Sequence, residues 1–362
     1  MSQDRAFETT PSSQGLDRVL FSINPERRES LEKKLPHQIE VELTNQCAAG
    51  CIYCYAASTP EEEELLPTER CLRLIDECVE LQMKSIMWAG GDPQLHPHWF
   101  EILSHSAERG IGTGICVSGM LSRRDAERIR DLERKNPNFE AVAIHIDTID
   151  PEAYRKINNN PKTLEAKIRG YRTLLEVGFP RQKINPILCL TRPIMGTITE
   201  TIDWYVDEMG AENISTCVFK PGLGFAREHV DFEPSLSEVR RFMEYLARKT
   251  GHDRLRTGPS PLGTIYCRTN FTVHSNGDVT PCALLTHLVA GNIFQEGLGE
   301  IFHQNREMLL FDCQVTGACG SCENNDICNG CRSNAFHYLG DLYASDPKCW
   351  LNPEAKEYYL QP

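Results

Sequence analysis

The sequence predicts an α/β protein: a parallel sheet whose strands alternate with helices, followed by a small cysteine-rich α+β domain. Three observations carry that expectation. Six short apolar runs recur with helical patterns between them, the alternation that builds a parallel sheet. No stretch of about 18 uninterrupted apolar residues occurs, so no helical membrane span is expected. The 16 cysteines are unevenly placed, one group early and a larger crowd in the last hundred residues. A length of 362 residues, 40% of them hydrophobic and 25% charged, suits one large domain and one smaller one.

In chain order, a polar leader (1–36) comes first and lacks the apolar core of a secretion signal, so a cytoplasmic protein is expected. Strands are expected at 38–43, 84–89, 112–118, 141–147, 183–190 and 213–219, together spanning a domain at 37–225. Between the first two, the segment 67–81 places Cys71, Leu74, Ile75 and Cys78 at helical i, i+3, i+4, i+7 spacing, a buried stripe in which both cysteines read as core residues. The acidic run 60–64 just ahead of it reads as a solvated helix start. Helices follow at 163–177 and 197–209. A last one at 236–249, within a bridge at 226–260, leads to the cysteine-rich domain at 261–362.

The net charge of −13, from 51 acidic against 38 basic side chains, argues against a broad grip on nucleic acid. Cysteine, at about 4.4% of the chain, falls below the roughly 8–10% of a disulfide scaffold. Reduced thiols that bind metal are the better reading.

The segment Asn45-Gln-Cys47-Ala-Ala-Gly-Cys51-Ile-Tyr-Cys54 follows the first predicted strand with spacing C-x3-C-x2-C. Three thiolates on one short loop can hold three irons of a cubane 4Fe-4S cluster and leave the fourth open to a small molecule. A closed zinc site would need a fourth protein ligand, and the nearest downstream, His96 and His98, lie in another loop. With Tyr53 just before the last cysteine, the segment resembles the signature of the radical S-adenosylmethionine (radical SAM) superfamily. After the second strand, Gly90-Gly91-Asp92-Pro93 resembles that family's Gly-Gly-Glu-Pro element, which holds the methionyl ammonium, with Asp in place of Glu. Ser118-Gly119 is similar to its Asn-Gly, and His145-Ile-Asp147 stands where Ser-Leu-Asp is frequent and the ribose is contacted. His145 reads equally well as a satisfied strand-end histidine.

The resemblance implies a partial (β/α)6, TIM-like barrel over about 36–225 with its site at the carboxyl ends of the strands. It also implies reductive cleavage of S-adenosylmethionine to a 5′-deoxyadenosyl radical that takes a hydrogen atom from substrate. A low-potential donor such as flavodoxin or ferredoxin would supply the electron.

Near the carboxyl end, Cys267 to Cys282 reads C-x9-G-x4-C, with Asn276-Gly277 as the hairpin turn between two strand-like runs. Then come Cys319-x2-Cys322, five residues, Cys328-x2-Cys331, and Asp346-Pro-Lys-Cys349. A zinc ribbon would want roughly 15–20 residues between its two pairs. The array resembles the SPASM extension of radical SAM enzymes. By that pattern Cys319, Cys322, Cys328 and Cys349 would hold an outer auxiliary cluster and Cys267, Cys282 and Cys331 an inner one; Cys313, the one carboxyl-terminal cysteine left over, is then either the inner cluster's fourth ligand or a core thiol beside a cluster open to substrate. That makes three 4Fe-4S clusters, and two auxiliary ones suggest an exit for an electron and a net oxidation.

For substrate, a peptide or peptide-derived cofactor precursor leads. Only 46 residues precede Cys47, fewer than a winged peptide-binding domain takes, so a separate recognition protein is expected with it. Sulfatase maturation fits less well, because Ala283 stands where those enzymes carry Asp. The Cys328-x2-Cys331 form also suits tetrapyrrole side-chain modification, and dehydrogenation of a sugar or cyclitol alcohol stays open. The rivals are a zinc hydrolase and a non-enzymatic iron–sulfur carrier, though a carrier has no use for the Gly90–Pro93 turn.

Overall fold

The structure, a computed structural model, describes residues 25–251, 258, 259, 266–325 and 327–361. Most of the expected leader and the expected start of the second domain at 261 lie outside the described residues. A short helix α1 (Pro25–Glu32) precedes β1 (Gln38–Thr44). Along β1 the apolar residues Ile39, Val41 and Leu43 are fully buried on one face, while Gln38, Glu40, Glu42 and Thr44 point to the other. That split sets an apolar face against helices and a polar face around a site.

The repeat continues through α2 (Thr68–Glu80), β2 (Ser85–Gly90), α3 (Trp99–Glu108), β3 (Gly112–Val117), α4 (Arg123–Lys135) and β4 (Phe139–His145). It goes on with α5 (Pro151–Ile157), α6 (Thr163–Glu176), β5 (Ile184–Leu190), α7 (Ile198–Asp203) and β6 (Ser215–Val218). Each of β1 to β6 pairs in parallel with the next, giving six strands of a partial barrel whose sheet does not close. Cys71, Leu74, Ile75 and Cys78 of α2 are all fully buried in the core that also takes Ile39, Val41 and Leu43, as the periodicity predicts.

Two elements differ from the sequence expectation for local reasons. The helix expected over 197–209 stops at Asp203 and continues as one π-helical turn, Trp204–Glu208. There Trp204 and Tyr205 pack on Tyr171, and the Tyr205 hydroxyl donates to the Ile146 carbonyl at 2.8 Å. The strand expected to reach residue 147 ends at His145, because the backbone turns so that Asp147 can accept from the Cys189 amide at 2.7 Å.

The helix α8 (Leu236–Thr250) begins with a capping box between Ser235 and Glu238 and ends on Gly251 at φ 71°. It lies against α7, and its Met243 meets Thr216 of β6. After it come β7 (Asn270–Val273), β8 (Asp278–Thr280), β9 (Gly291–Asn292), α9 (Leu298–Leu309) and α10 (Arg332–Leu339). β7 and β8 form the expected hairpin about Asn276-Gly277, and Gly277 sits at φ +86° as such a turn requires. The hairpin is not set apart from the barrel: β7 pairs in parallel with β1, from Gln38↔Asn270 to Val41↔Val273, so one sheet runs β6-β5-β4-β3-β2-β1-β7-β8-β9. Among the described residues no helix is long and apolar enough to cross a membrane.

Candidate active site

The loop after β1 carries Cys47, Cys51 and Cys54 and is fixed from three sides. Cys47 donates its amide to the Thr59 carbonyl at 3.0 Å, Ile52 to Ile157 at 3.1 Å, and Phe225 to the Cys54 carbonyl at 3.0 Å. Asn158, after α5, donates its side-chain amide to the Ala49 carbonyl at 2.9 Å and lies 3.8 Å from the Cys51 sulfur. The Ala49 amide points at the Cys47 sulfur at 3.4 Å. Burial pushes the Cys47 thiol up to about 12 and raises Cys51 as well, so a buried thiolate here needs positive charge beside it.

Gly90 and Gly91 bring the end of β2 against this loop. Gly91 donates to the Thr44 carbonyl at 2.7 Å and Asp92 to the Gln46 carbonyl at 2.8 Å. A Cβ on Gly91 would stand 2.2 Å from the Gln46 oxygen, and one on Gly90, at φ +114°, 2.4 Å from the Thr44 oxygen, so neither position admits a side chain. Pro93 opens the short turn that follows. Asp92 is 1% exposed; its Oδ2 accepts from the Ser118 hydroxyl and from Gln94 Nε2, while its Oδ1 is buried without a partner. Burial raises its carboxyl, opposed by the bonds from Ser118 and Gln94. An orphaned acidic oxygen beside the cysteine loop suits a cationic group such as an ammonium.

Asp147 is also buried. The Tyr53 hydroxyl donates to its Oδ2, and His145 Nδ1 lies 3.4 Å from its Oδ1. Burial opposes its ionisation, yet His145 and Lys167 hold it below the usual carboxylate range. In this structure, then, both Asp147 oxygens and the Tyr53 hydroxyl are engaged with each other and with protein.

The carboxyl-terminal thiols lie close enough to act on one another, with Cys328 common to two neighbourhoods. Burial acts most strongly on each; beside it Cys267 is acted on by Cys331, Cys282 and Cys328, Cys349 by Asp346, Cys319 and Cys328, and Cys328 by Asp346, Cys319 and Cys322. Burial pushes Cys282, Cys328 and Cys349 up to about 12, and each is relieved by a backbone amide two residues on, from Leu284, Gly330 and Leu351. Cys319 accepts from the Asp346 amide at 3.3 Å and Cys331 from the Asn334 amide at 3.4 Å. Amides aimed at sulfur favour thiolate, as in the surroundings of a metal cluster. Cys313 stands apart: the groups acting on it are Arg332, Arg268 and Asp312. Among the described residues no three Cys, His, Asp or Glu side chains converge on the position of a single ion. Thiols that each bind a different iron of a cubane lie farther apart than ligands that share one ion.

Residues 41–205 match the model of the radical SAM superfamily and residues 266–332 that of SPASM, an iron–sulfur cluster-binding domain, together well over half of the chain. The protein belongs to the radical SAM superfamily. It is a radical SAM enzyme with a SPASM extension, a class that uses S-adenosylmethionine and iron–sulfur clusters. The chain is similar to the AdoMet-dependent heme synthase of Methanosarcina barkeri, at 28% identity over 355 residues covering 89% of this chain and 98% of that protein. It is also similar to the PqqA peptide cyclase of Streptomyces rochei, at 27% identity covering 88% and 90%. Its fold matches that of Streptococcus suis SuiB bound to S-adenosylmethionine, with a TM-score of 0.66 at 18% identity over 90% of this chain and 80% of that one.

The radical SAM barrel holds one group that the motifs do not announce. Lys167 of α6 is fully buried; its Nζ donates to the His145 carbonyl at 3.1 Å and lies 5.8 Å from the Tyr154 ring. Burial disfavours its charge, but Cys51, Tyr154, Asp147 and Cys47 keep the ammonium well above its ordinary range. Its cation sits where buried thiolates need one. The only local signal was a lysine within the apolar stripe Leu164, Tyr171, Leu174.

Proposed function

We propose that this radical SAM enzyme oxidatively modifies a peptide, as a maturase of a peptide or peptide-derived cofactor precursor. In this reading Cys47, Cys51 and Cys54 hold the first 4Fe-4S cluster, and Tyr53, Gly90, Gly91, Asp92, Pro93, Ser118 and Asp147 form the S-adenosylmethionine pocket. Cys319, Cys322, Cys328 and Cys349 hold the outer auxiliary cluster. Cys267, Cys282 and Cys331 hold the inner one, with Cys313 as the candidate for its fourth position. Bound S-adenosylmethionine on its cluster supplies the power to take a hydrogen atom from an unactivated carbon. The chain itself orients the methionyl end through Asp92, neutralises buried thiolates through Lys167, and keeps the site enclosed.

The observation that carries the reading is the second set of thiols, mostly half-buried and joined to the barrel through the β1–β7 pairing. An electron acceptor at that place serves a reaction that must shed an electron, and the likeness to a peptide cyclase supports a peptide as substrate. The donor is a flavodoxin or ferredoxin of the cytoplasm.

The test is anaerobic incubation of the iron-loaded enzyme with reductant and the short peptides encoded beside its gene. The expected result is a peptide that accelerates 5′-deoxyadenosine formation and loses two hydrogens by mass. The similarity to a heme synthase favours a second reading, tetrapyrrole side-chain modification. Acceleration by a tetrapyrrole carboxylate, and by no peptide, would replace the first reading with it.

Asp92 gives a narrower expectation. With its free Oδ1 on the methionyl ammonium, Asp92→Ala should weaken S-adenosylmethionine binding by about 1–3 kcal/mol in equilibrium titration. Wild-type affinity would remove Asp92 from the pocket.

A further inference from the structure

The proposed oxidation leaves a proton without a destination. Dehydrogenating a substrate removes two protons and two electrons; one of each leaves together as the hydrogen atom, and what remains is one proton and one electron. The electron can pass to an auxiliary cluster, but the proton needs a base inside the barrel.

The inner wall offers few. Partly exposed residues on six successive strands, Glu40, Met87, Cys116, His145, Ile187 and Cys217, face the barrel interior, since their neighbours along each strand are buried against the helices. Four of them ionise. His145 is paired with Asp147, which raises its pKa and favours the protonated form. Cys217, the register partner of Cys189, is brought down to about 7 by that neighbouring thiol and by His145, but it stands on β6, the end strand of the sheet and in strand order the farthest of the six from β7 and its flanking thiols. Cys116 is held as a neutral thiol by burial. Glu40 remains.

We propose that Glu40 is the base that receives the substrate proton when the substrate is oxidised. This rests on the net oxidation argued above. Its carboxylate has no hydrogen-bond or ion-pair partner among the described residues, although β1 is an interior strand with five strands on one side and three on the other. Two residues on, Glu42 is fully committed, with His274 Nδ1 at 2.8 Å and the Tyr55 hydroxyl at 2.9 Å. Side by side on one face of β1, one carboxylate is locked and the other is free.

The groups around Glu40 place it between the two halves of the site. Its charge acts on Cys282 and on Tyr266 next to Cys267, the inner thiol group, and also on Tyr55 of the first cysteine loop. Cys116, which feels Glu40, also feels Asp92 and Cys47 on the S-adenosylmethionine side. Burial, then Glu42, push the Glu40 carboxyl up to about 7, with His274 opposing, so its base form and its acid form are both within reach at neutral pH. In the step proposed, the substrate C–H or X–H bond breaks, its proton bonds to a Glu40 oxygen, and its electron pair completes the new double bond or cross-link as one electron leaves to the auxiliary clusters.

Proton and electron are then coupled, and the coupling can be read without substrate. In the iron-loaded full chain, redox titration of the auxiliary clusters from pH 5.5 to 8.5 should give a midpoint potential that falls as pH rises. The slope is bounded by about 59 mV per tenfold change in proton concentration for one electron. The sign follows because ionised Glu40 puts negative charge beside the centre being reduced. Glu40→Gln should flatten that slope, and Glu40→Asp should keep it. An equal slope in wild type and Glu40→Gln, or none in either, overturns the proposal.

With a peptide that the wild type dehydrogenates, Glu40→Gln should lower product per 5′-deoxyadenosine by about 10²-fold or more, with peptide affinity unchanged. A lost affinity with an unchanged ratio would make Glu40 a binder of a substrate cation and overturn its role as base. A redox-neutral wild-type product would defeat the net-oxidation reading instead, while the slope would still decide whether Glu40 takes up a proton with the electron. Should Glu40→Gln not fold, Glu40→Asp is expected to keep the slope and lower the product ratio.

Discussion

Replacing Cys47, Cys51 and Cys54 together by alanine is expected to abolish S-adenosylmethionine cleavage and to lower iron by about four atoms per chain, with the chain still folded. Cleavage disappears because no other thiols lie on this loop. The fold survives because the loop is held by main-chain bonds from Thr59, Ile157 and Phe225 and by Asn158 to the Ala49 carbonyl, none of which needs a cysteine side chain. Iron analysis with circular dichroism measures both halves. Loss of all iron would mean that the carboxyl-terminal thiols cannot load their metal alone, and residual cleavage would move the reaction away from this loop.

A larger loss of stability is expected from one residue of the carboxyl-terminal segment. Lys348 and Glu233 form an ion pair at 3.0 Å in which both side chains are wholly buried. Lys348 also donates to the Pro234 carbonyl at 2.9 Å, and Glu233 accepts the amides of Tyr359 and Leu360 at 3.0 Å each. Lys348→Met would strand a buried carboxylate and should cost about 3–5 kcal/mol in denaturant unfolding. The double variant Glu233→Gln/Lys348→Met should recover much of that, since neither charge is then left alone. A single-variant cost below about 1 kcal/mol would show that the amides of Tyr359 and Leu360 satisfy Glu233 by themselves. Because Lys348 adjoins Cys349, the single variant should also disturb the outer cluster proposed for Cys319, Cys322, Cys328 and Cys349.

The strands were legible because each is an apolar run with a fixed period, and all six lie within a few residues of their expected bounds. The cysteine spacings were legible because a cluster loop is local. Less so were α4, whose buried face is only Ala126, Ile129 and Leu132 in an otherwise charged helix, and α10, whose buried face is Arg332, Ser333, Asn334 and Ala335. Neither gives the broad apolar stripe that periodicity detects. Glu40 was invisible as a site, since an acidic residue alternating with apolar ones in a strand looks like an ordinary solvent-facing position. Its meaning comes from the strands that enclose it on both sides, and the nearer flank on one side, β7, is supplied by the far end of the chain.

That last pairing bears on how the protein is made. β1 emerges early from the ribosome, whereas its partner β7 lies more than two hundred residues later. At a synthesis rate of about 5–20 residues per second, the edge of β1 stays open for on the order of ten seconds or longer. During that interval a nascent barrel shows an unpaired strand edge, the surface on which strands of other chains could add. Slow closure of this kind is expected to make the yield of folded protein sensitive to translation speed between β6 and β7, which a series of synonymous codon changes over that stretch would measure.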